Sequence, residues 1–254
     1  QHQGELHFPF RRYQIQKVWR GERPQKGRFR EFYQADIDVV ARETLSPDFD
    51  AEVAIVMARI LSSFKIGKMT MRINNRKFLN GLFEAHGIEF NTQVLQTVDK
   101  LDKIGVEEVT RMLREDQGLD ASALDEIFAI LGQSVQLSEA QKFLDAISQT
   151  NKTLDEGKAE LLQLFSVLQS VAIPDFSFIF SPSIARGLDY YTGTVCEVTI
   201  DGHEKYGSIC SGGRYADLAG RFTNQKLPGV GMSIGLTRLL TAIREENLLD
   251  FSKK

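Results

Sequence analysis

Cysteine is scarce in this sequence. Cys196 and Cys210 are the only two among 254 residues. They form no CxxC pair and, with four scattered histidines, supply no metal cage, so buried, inert thiols in a reducing compartment are expected. Long apolar runs are missing too. None approaches the ~18 residues of a membrane span, and the opening QHQGELHFPF lacks the shape of a signal peptide. A cytoplasmic protein without membrane contact is the expectation. Neither charge sign dominates: 31 Lys and Arg stand against 34 Asp and Glu, a net charge of -3. That excludes a wholesale basic nucleic-acid coat, so any phosphate or nucleic-acid site must be a local concentration of Arg and Lys. There is no GxxxxGK followed by Ser or Thr, and no GxGxxG with an acid ~20 residues on, which disfavours the two parallel-sheet nucleotide folds. No Ser/His/Asp or Cys/His arrangement stands out. His2, His7, His86 and His203 have no motif context and are expected to be surface or satisfied histidines, so no covalent nucleophile is expected.

What is present is an ordinary globular composition, 42% hydrophobic and 26% charged, which excludes disordered, collagenous and coiled-coil chains. The length suffices for one large domain or two small ones with a real core. Strand-like alternation begins almost at once, as though the chain opens within a domain.

Charge is unevenly spread. Between Arg11 and Glu31 there are eight basic residues and two acidic ones; between Asp99 and Glu126 there are nine acidic and four basic. Three sections follow. The first, residues 1–88, opens as a hairpin: RRYQIQKVWR alternates, GERPQKGRFR is a connection rich in Pro and Gly, and EFYQADIDVVA alternates again. Ser46-Pro47-Asp48 then predicts an N-cap followed by Pro at the first helical position. The helix carries Val53, Val56, Ile60, Leu61 and Phe64 on one stripe. MTMRIN predicts a short strand, and RKFLNGLFEAHG a helix stopped by Gly87. The second section, 89–172, has no convincing strand. Its helical stripes include Leu95/Val98/Leu101, Leu124/Ile127/Phe128/Leu131 and Leu154/Leu161/Leu164/Phe165/Leu168, the pattern of an inserted acidic helical module. The third, 173–254, returns to strands in FSFIF, TVCEVTI and YGSIC, then GVGMSIGLTRLLTAIREENLL, a strand running into a helix. The pattern predicts one discontinuous α+β domain with a mainly antiparallel sheet flanked by helices and an all-helical insertion.

The hairpin is the strongest chemical constellation. Alternation puts Tyr33, Ala35, Ile37 and Val39 on one face and Gln34, Asp36 and Asp38 on the other. In the partner strand Gln14, Gln16, Val18 and Arg20 share a face. A polar sheet face is often plain solvent exposure, but the connecting loop carries four basic groups that could grip phosphate oxygens. A solvated, salt-bridged hairpin tip is the bland alternative. Arginines beside carboxylates suit a bifunctional substrate: a polyphosphate at the arginines, an ammonium or imidazole group at Gln34 and Asp38. Phosphoryl and nucleotidyl transfers need fixed positive charge more than covalent help. Two Gly-flanked segments, Ala185–Gly193 and Ser211-Gly212-Gly213-Arg214-Tyr215, are weak alone, since a turn with a packed Tyr also explains each. Gly229, Gly231 and Gly235 before Arg238 are likewise weak alone; together with the hairpin they gain weight.

At these residues the sequence resembles the class II aminoacyl-tRNA synthetases, specifically the histidyl-tRNA synthetase family. WRGERPQKGRFREFYQ (Trp19–Gln34) is similar to that family's motif 2, ARGLDYYTGTVCEV (Ala185–Val198) to its histidine-binding signature, SGGRYADL to the stretch that follows, and GVGMSIGLTRL (Gly229–Leu239) to motif 3. The resemblance spans most of the chain in family order and implies ligation of L-histidine to its tRNA through a histidyl-adenylate, with ATP and Mg2+ as the substrate complex. It implies Arg20 at the α-phosphate and Glu22 at the adenine amino edge. Phe32 and Arg238 would sandwich adenine, with Arg28 and Arg238 near the outer phosphates. Arg186 would neutralise developing charge between the α-phosphate and the histidine carboxylate. Gln34 would take the α-amino group and Asp38 and Tyr191 the imidazole, with Tyr190 and the Gly212-Gly213 backbone closing the pocket. Arg23 and Gln25 would face the tRNA acceptor end. No metal ligand is implied from the protein.

The chain departs from the family at Cys196, where an aromatic residue is usual, and at Ala216, which interrupts GGRYDG. Nothing resembles motif 1 or the anticodon-binding domain, so a catalytic-domain fragment of a homodimeric enzyme is expected. Related regulatory subunits of histidine biosynthesis, which act as binding modules, are the alternative. They tend to lose the motif 2 arginines and parts of RGLDYY, both intact here.

Overall fold

The computed structural model describes residues 5–21, 29–185, 190–216, 218 and 223–249, with Asp102 described in its backbone only. Among these, the strands are β1 (Phe10–Trp19), β2 (Glu31–Val40), β3 (Met69–Asn75), β4 (Val135–Gln136), β5 (Phe176–Phe180), β6 (Tyr191–Ile200), β7 (Cys210–Tyr215) and β8 (Gly229–Gly235). The helices are α1 (Asp48–Ser63), α2 (Arg76–Ala85), α3 (Thr92–Val98), α4 (Leu101–Ile104), α5 (Val106–Gln117), α6 (Ala121–Leu131), α7 (Leu137–Asp145), α8 (Lys152–Gln169) and α9 (Leu236–Glu245). The strands form one mainly antiparallel sheet in the order β1-β2-β8-β7-β6-β3-β5-β4. The α+β architecture expected from alternation and helical spacing is the one observed. No helix among the described residues is long and apolar enough to cross a membrane.

Two compact units divide the chain: Gln1–Met71 with Val171–Ser177 and Cys196–Lys254, and Arg72–Ser170 with Phe178–Val195. In the first, β1, β2, β8 and β7 pair antiparallel in that order. Residues directly opposite share a face, so the registers sort the side chains. Ala35 and Ile37 lie with Ile234 and Met232 on the side where α1 buries Ala54, Met57, Ala58 and Leu61. Arg214 of β7 fixes α1 to the sheet. Its Nη2 lies 2.8 Å from Oδ1 of buried Asp50, and it donates to the carbonyls of Leu45 at 3.0 Å and Ser46 at 2.8 Å.

The second unit packs α2 against α8. A Cβ on Gly157 would lie 2.3 Å from the Phe78 amide nitrogen, so this crossing is built on backbone contact. Phe180 sits among Phe78, Phe165 and Phe143, with ring centroids 5.5, 5.6 and 5.8 Å away. Side-chain caps start these helices: Asn75 accepts from the Lys77 amide, Asp120 from Ala123 and Asn151 from Leu154.

Four sequence expectations are corrected. Helix α1 is assigned from Asp48 with Pro47 as cap, although the Ser46 hydroxyl accepts from the Asp48 amide at 3.3 Å. Its apolar stripe is split. Val53 and Leu61 are buried, whereas Val56, Ile60 and Phe64 are 38%, 38% and 36% exposed. Ile60 and Phe64 line an open apolar cavity of about 380 Å³ with Tyr13, Ile15 and Ile37. The helical section contains one short strand, β4, whose Val135 pairs with Phe180. Finally, YGSIC is not a strand: residues 204–206 form a 3-10 turn, and β7 starts at Cys210 and runs through Gly212 and Gly213, where a turn was the competing explanation.

Candidate active site on the polar sheet face

The other face of β1, β2, β8 and β7 is polar and paved with small residues. Arg12 lies opposite Asp38, Gln14 opposite Asp36 and Gln16 opposite Gln34. Across β2 the partners are Gly231, Ser233 and Gly235, and beyond β8 lie Gly213 and Ser211. The period-2 alternation that aligned Gln34 with Asp38 therefore holds, and the neighbouring strands supply the floor.

Asp38 is the most constrained carboxylate on this face. Its Oδ1 accepts from the Tyr215 hydroxyl at 3.1 Å, and Oδ2 lies 3.3 Å from Nη1 of Arg12. Burial pushes its carboxyl above the usual range, the Arg12 guanidinium and the Tyr215 hydroxyl oppose this, and the Asp36 charge adds to it. A Cβ on Gly231 would lie 2.1 Å from Oδ1 of Asp38 and 2.8 Å from the Ile37 carbonyl oxygen. Only a residue without a side chain lets the carboxylate lie down on the sheet there.

Gln34 is held by a relay. Its carboxamide donates to the Ser233 hydroxyl at 2.6 Å, and that hydroxyl donates to Asp36 in a short hydrogen bond. The amide plane is thereby fixed with its carbonyl oxygen available to a donor. Where β1 ends, the Arg20 guanidinium stacks over the Phe32 ring, 4.6 Å from the centroid. The two strands are clamped nearby: Lys17 and Trp19 reach Glu31 at 2.8 and 3.0 Å, holding its carboxyl below the usual range. Arg238, in the first turn of α9, donates from Nη1 to the Ser208 carbonyl, and the Thr237 hydroxyl accepts from the Tyr33 amide at 2.9 Å.

Of the residues the sequence singled out, Arg20, Phe32, Gln34, Asp38, Gly212, Gly213 and Arg238 belong to the first unit. Arg20 meets Phe32, while Gln34, Asp38 and Gly213 share the polar face. Tyr190 and Tyr191 belong to the second unit; their rings stand 4.5 Å apart with the Tyr190 hydroxyl donating to that of Tyr191 at 3.3 Å. Tyr191 is buried against Ile184 and Val195. Glu22, Arg23, Gln25, Arg28 and Arg186 lie outside the described residues. Both cysteines are buried thiols outside any disulfide, and burial raises the Cys196 thiol well above its usual value, as inert thiols require.

Arg12, Ser233 and Tyr215 were not proposed as site residues from the sequence, although each touches one that was. Only the strand register identifies them. Among the described histidines, His86 differs from expectation, with its Nε2 buried and no hydrogen-bond partner among the described residues.

Comparison with known proteins bears out the family resemblance. The family model described as histidyl-tRNA synthetase matches residues 2–239. The histidine--tRNA ligase of Xanthomonas campestris pv. campestris is 47% identical over 258 residues, covering 98% of this chain and 54% of that protein. That of Clostridium tetani is 46% identical over 249 residues, covering 98% and 56%. The crystal structure of histidyl-tRNA synthetase from a Nostoc species superposes with a TM-score of 0.89 at 39% identity, covering 98% of this chain and 57% of that one. The chain thus spans about half the length of the curated relatives it matches.

Proposed function

The chain belongs to the histidyl-tRNA synthetase family, and on that premise we propose that it supplies the histidine- and ATP-binding face of a histidine--tRNA ligase. In the first step an oxygen of the histidine carboxylate attacks the α-phosphorus of ATP. The bond to the bridging oxygen breaks, and pyrophosphate leaves with its Mg2+. In the second, a hydroxyl of the tRNA terminal ribose attacks the histidyl carbonyl carbon, and AMP leaves. Neither step needs a protein nucleophile; both need substrates held in line and charge neutralised as it develops.

Gln34 accepts from the α-ammonium group, and Asp38 accepts from an imidazole N–H with Tyr191 at the second ring nitrogen. Tyr190 and the Gly212-Gly213 backbone close the pocket. Arg20 and Arg186 hold the α-phosphate, Arg186 also facing the histidine carboxylate. Phe32 and Arg238 hold adenine, Glu22 its amino edge, and Arg28 the outer phosphates with Arg238. Arg23 and Gln25 face the tRNA acceptor end. In the same reading 89–172 is a helical insertion into a catalytic domain formed by 1–88 and 173–254, and the full-length protein is a cytoplasmic homodimer.

The observation that carries this reading is the placing of Gln34 and Asp38 on one half-buried sheet face, each oriented by a neighbour, above glycine. A site whose buried acceptors are fixed in this way rejects ligands that cannot donate to them. The full-length protein that carries this chain should exchange pyrophosphate into ATP only when histidine is present. Exchange independent of histidine, or none at all, overturns the assignment.

A further inference from the structure

Five consecutive residues, Ser181–Ala185, follow β5 without regular secondary structure, and Ser181, Ile184 and Ala185 are buried. Buried backbone outside a sheet ladder must find donors elsewhere. Here the donors come from alternate positions of one strand and its continuation. Arg72 donates to the Ser181 hydroxyl at 2.9 Å and to the Ser183 hydroxyl at 3.0 Å. The carboxamide of Asn74 donates to the Pro182 carbonyl at 2.8 Å and the Ile184 carbonyl at 3.0 Å. Arg76 donates to the Ala185 carbonyl at 2.9 Å.

This arrangement is more specific than packing requires. Asn74 is fully buried, and its Oδ1 has no hydrogen-bond partner among the described residues, so the side chain keeps its place through two N–H bonds to one segment. Arg76 is buried to 8% exposure, and it donates to the last carbonyl before Arg186. Ile184, whose own carbonyl Asn74 holds, packs on Tyr191. The three side chains therefore set the path of the backbone at the point where the signature begins.

We propose that Asn74 and Arg76 are positioning residues for histidine activation, an inference that rests on the role given to Arg186 and Tyr191 in the function proposed above. By holding the carbonyls of Pro182, Ile184 and Ala185 they fix the backbone that leads into the signature, and Ile184 on it packs against Tyr191. Neither touches substrate; both act through the segment.

A double-mutant cycle in the full-length protein tests this, read by histidine-dependent ATP–pyrophosphate exchange. Arg76→Met should lower kcat by about ten- to a hundred-fold, the scale of a misplaced catalytic group, while the KM for ATP stays within about threefold. Arg76→Lys, which keeps a donor, should recover part of the rate. In an Arg186→Ala background, Arg76→Met should cost less than about twofold more, because residues acting as a unit are not additive. The loss of thermal midpoint should be the same in both backgrounds, which separates positioning from mere stability. If Arg76→Met does not fold, the same cycle is run with Arg76→Lys. An Arg186→Ala protein that is impaired, with an Arg76 effect that is undiminished in it, sinks the positioning role alone. An Arg186→Ala protein with full activity sinks the proposed activation chemistry as well.

Discussion

Asp38 and Gly231 face each other across the β2–β8 pair so closely that the carboxylate occupies the space a side chain would take, 2.1 Å from where a Cβ would stand. The neighbours cannot relieve a substitution cheaply, because the Ile37 carbonyl would also lie 2.8 Å from that atom. Gly231→Ala should therefore displace the carboxylate or part the strands. The expected result is a histidine KM raised by about tenfold or more, the range lost when a buried polar partner is misplaced, with the ATP KM little changed. Steady-state exchange kinetics with each substrate varied in turn is the measurement.

Asp38 also links function to pH. Burial raises its carboxyl above the ordinary range, so the folded protein binds that proton more readily than the unfolded chain. Its contribution to stability is then most favourable below the unfolded value and declines as pH rises through the folded one. Asp38→Asn should leave the thermal midpoint at neutral pH unchanged or higher, and the advantage should shrink as pH falls. Histidine use should move the other way, falling with protonation of Asp38 and dropping by about a hundred-fold in the variant. Melting curves across pH beside histidine-dependent exchange separate the two effects.

Arg214 and Asp50 form the buried ion pair of the first unit, with side chains 16% and 6% exposed. Removing the guanidinium alone leaves a buried carboxylate and two carbonyls short of donors. Arg214→Ala should cost about 3–5 kcal/mol in urea unfolding, and pairing it with Asp50→Ala should recover part of that. A loss within experimental error would mean that water reaches Asp50 freely.

The part of the candidate site on β2 was legible because its residues are close in sequence. Gln34 and Asp38 fall on one strand face by alternation, and the hairpin that carries them is local from Phe10 to Val40. Helical spacing misplaced the outer half of the α1 stripe, since it shows that Ile60 and Phe64 share a side of the helix but not that this side lines an open cavity with Tyr13 and Ile15 of β1. From the sequence, a turn explained Gly212-Gly213 as well as a binding segment did, because glycine punctuates chains more often than it continues strands. The strand continues where Gly212 lies against β8, a Cβ there standing 2.0 Å from the Gly231 carbonyl oxygen, a contact that only the register reveals. Residues such as Arg12, Ser233 and Tyr215 gain meaning from that register alone; Ser233 lies 199 positions from the glutamine it holds.

Ser233 gives that point a test. Its hydroxyl accepts from Gln34 and donates to Asp36, so it sets the plane of the carboxamide. Ser233→Ala removes the acceptor and lets the Gln34 side chain rotate, at a cost of about 1 kcal/mol for a lost hydrogen bond of this kind. The histidine KM should rise by about fivefold, the same energy expressed as affinity, while the ATP KM and the thermal midpoint stay near those of the parent. Ser233→Thr, which keeps the hydroxyl, should retain most of the affinity where the extra methyl is accommodated on the sheet. A Ser233→Ala protein with unaltered histidine KM would show that Gln34 is oriented by the strand itself, and that the relay contributes nothing to recognition of the α-amino group.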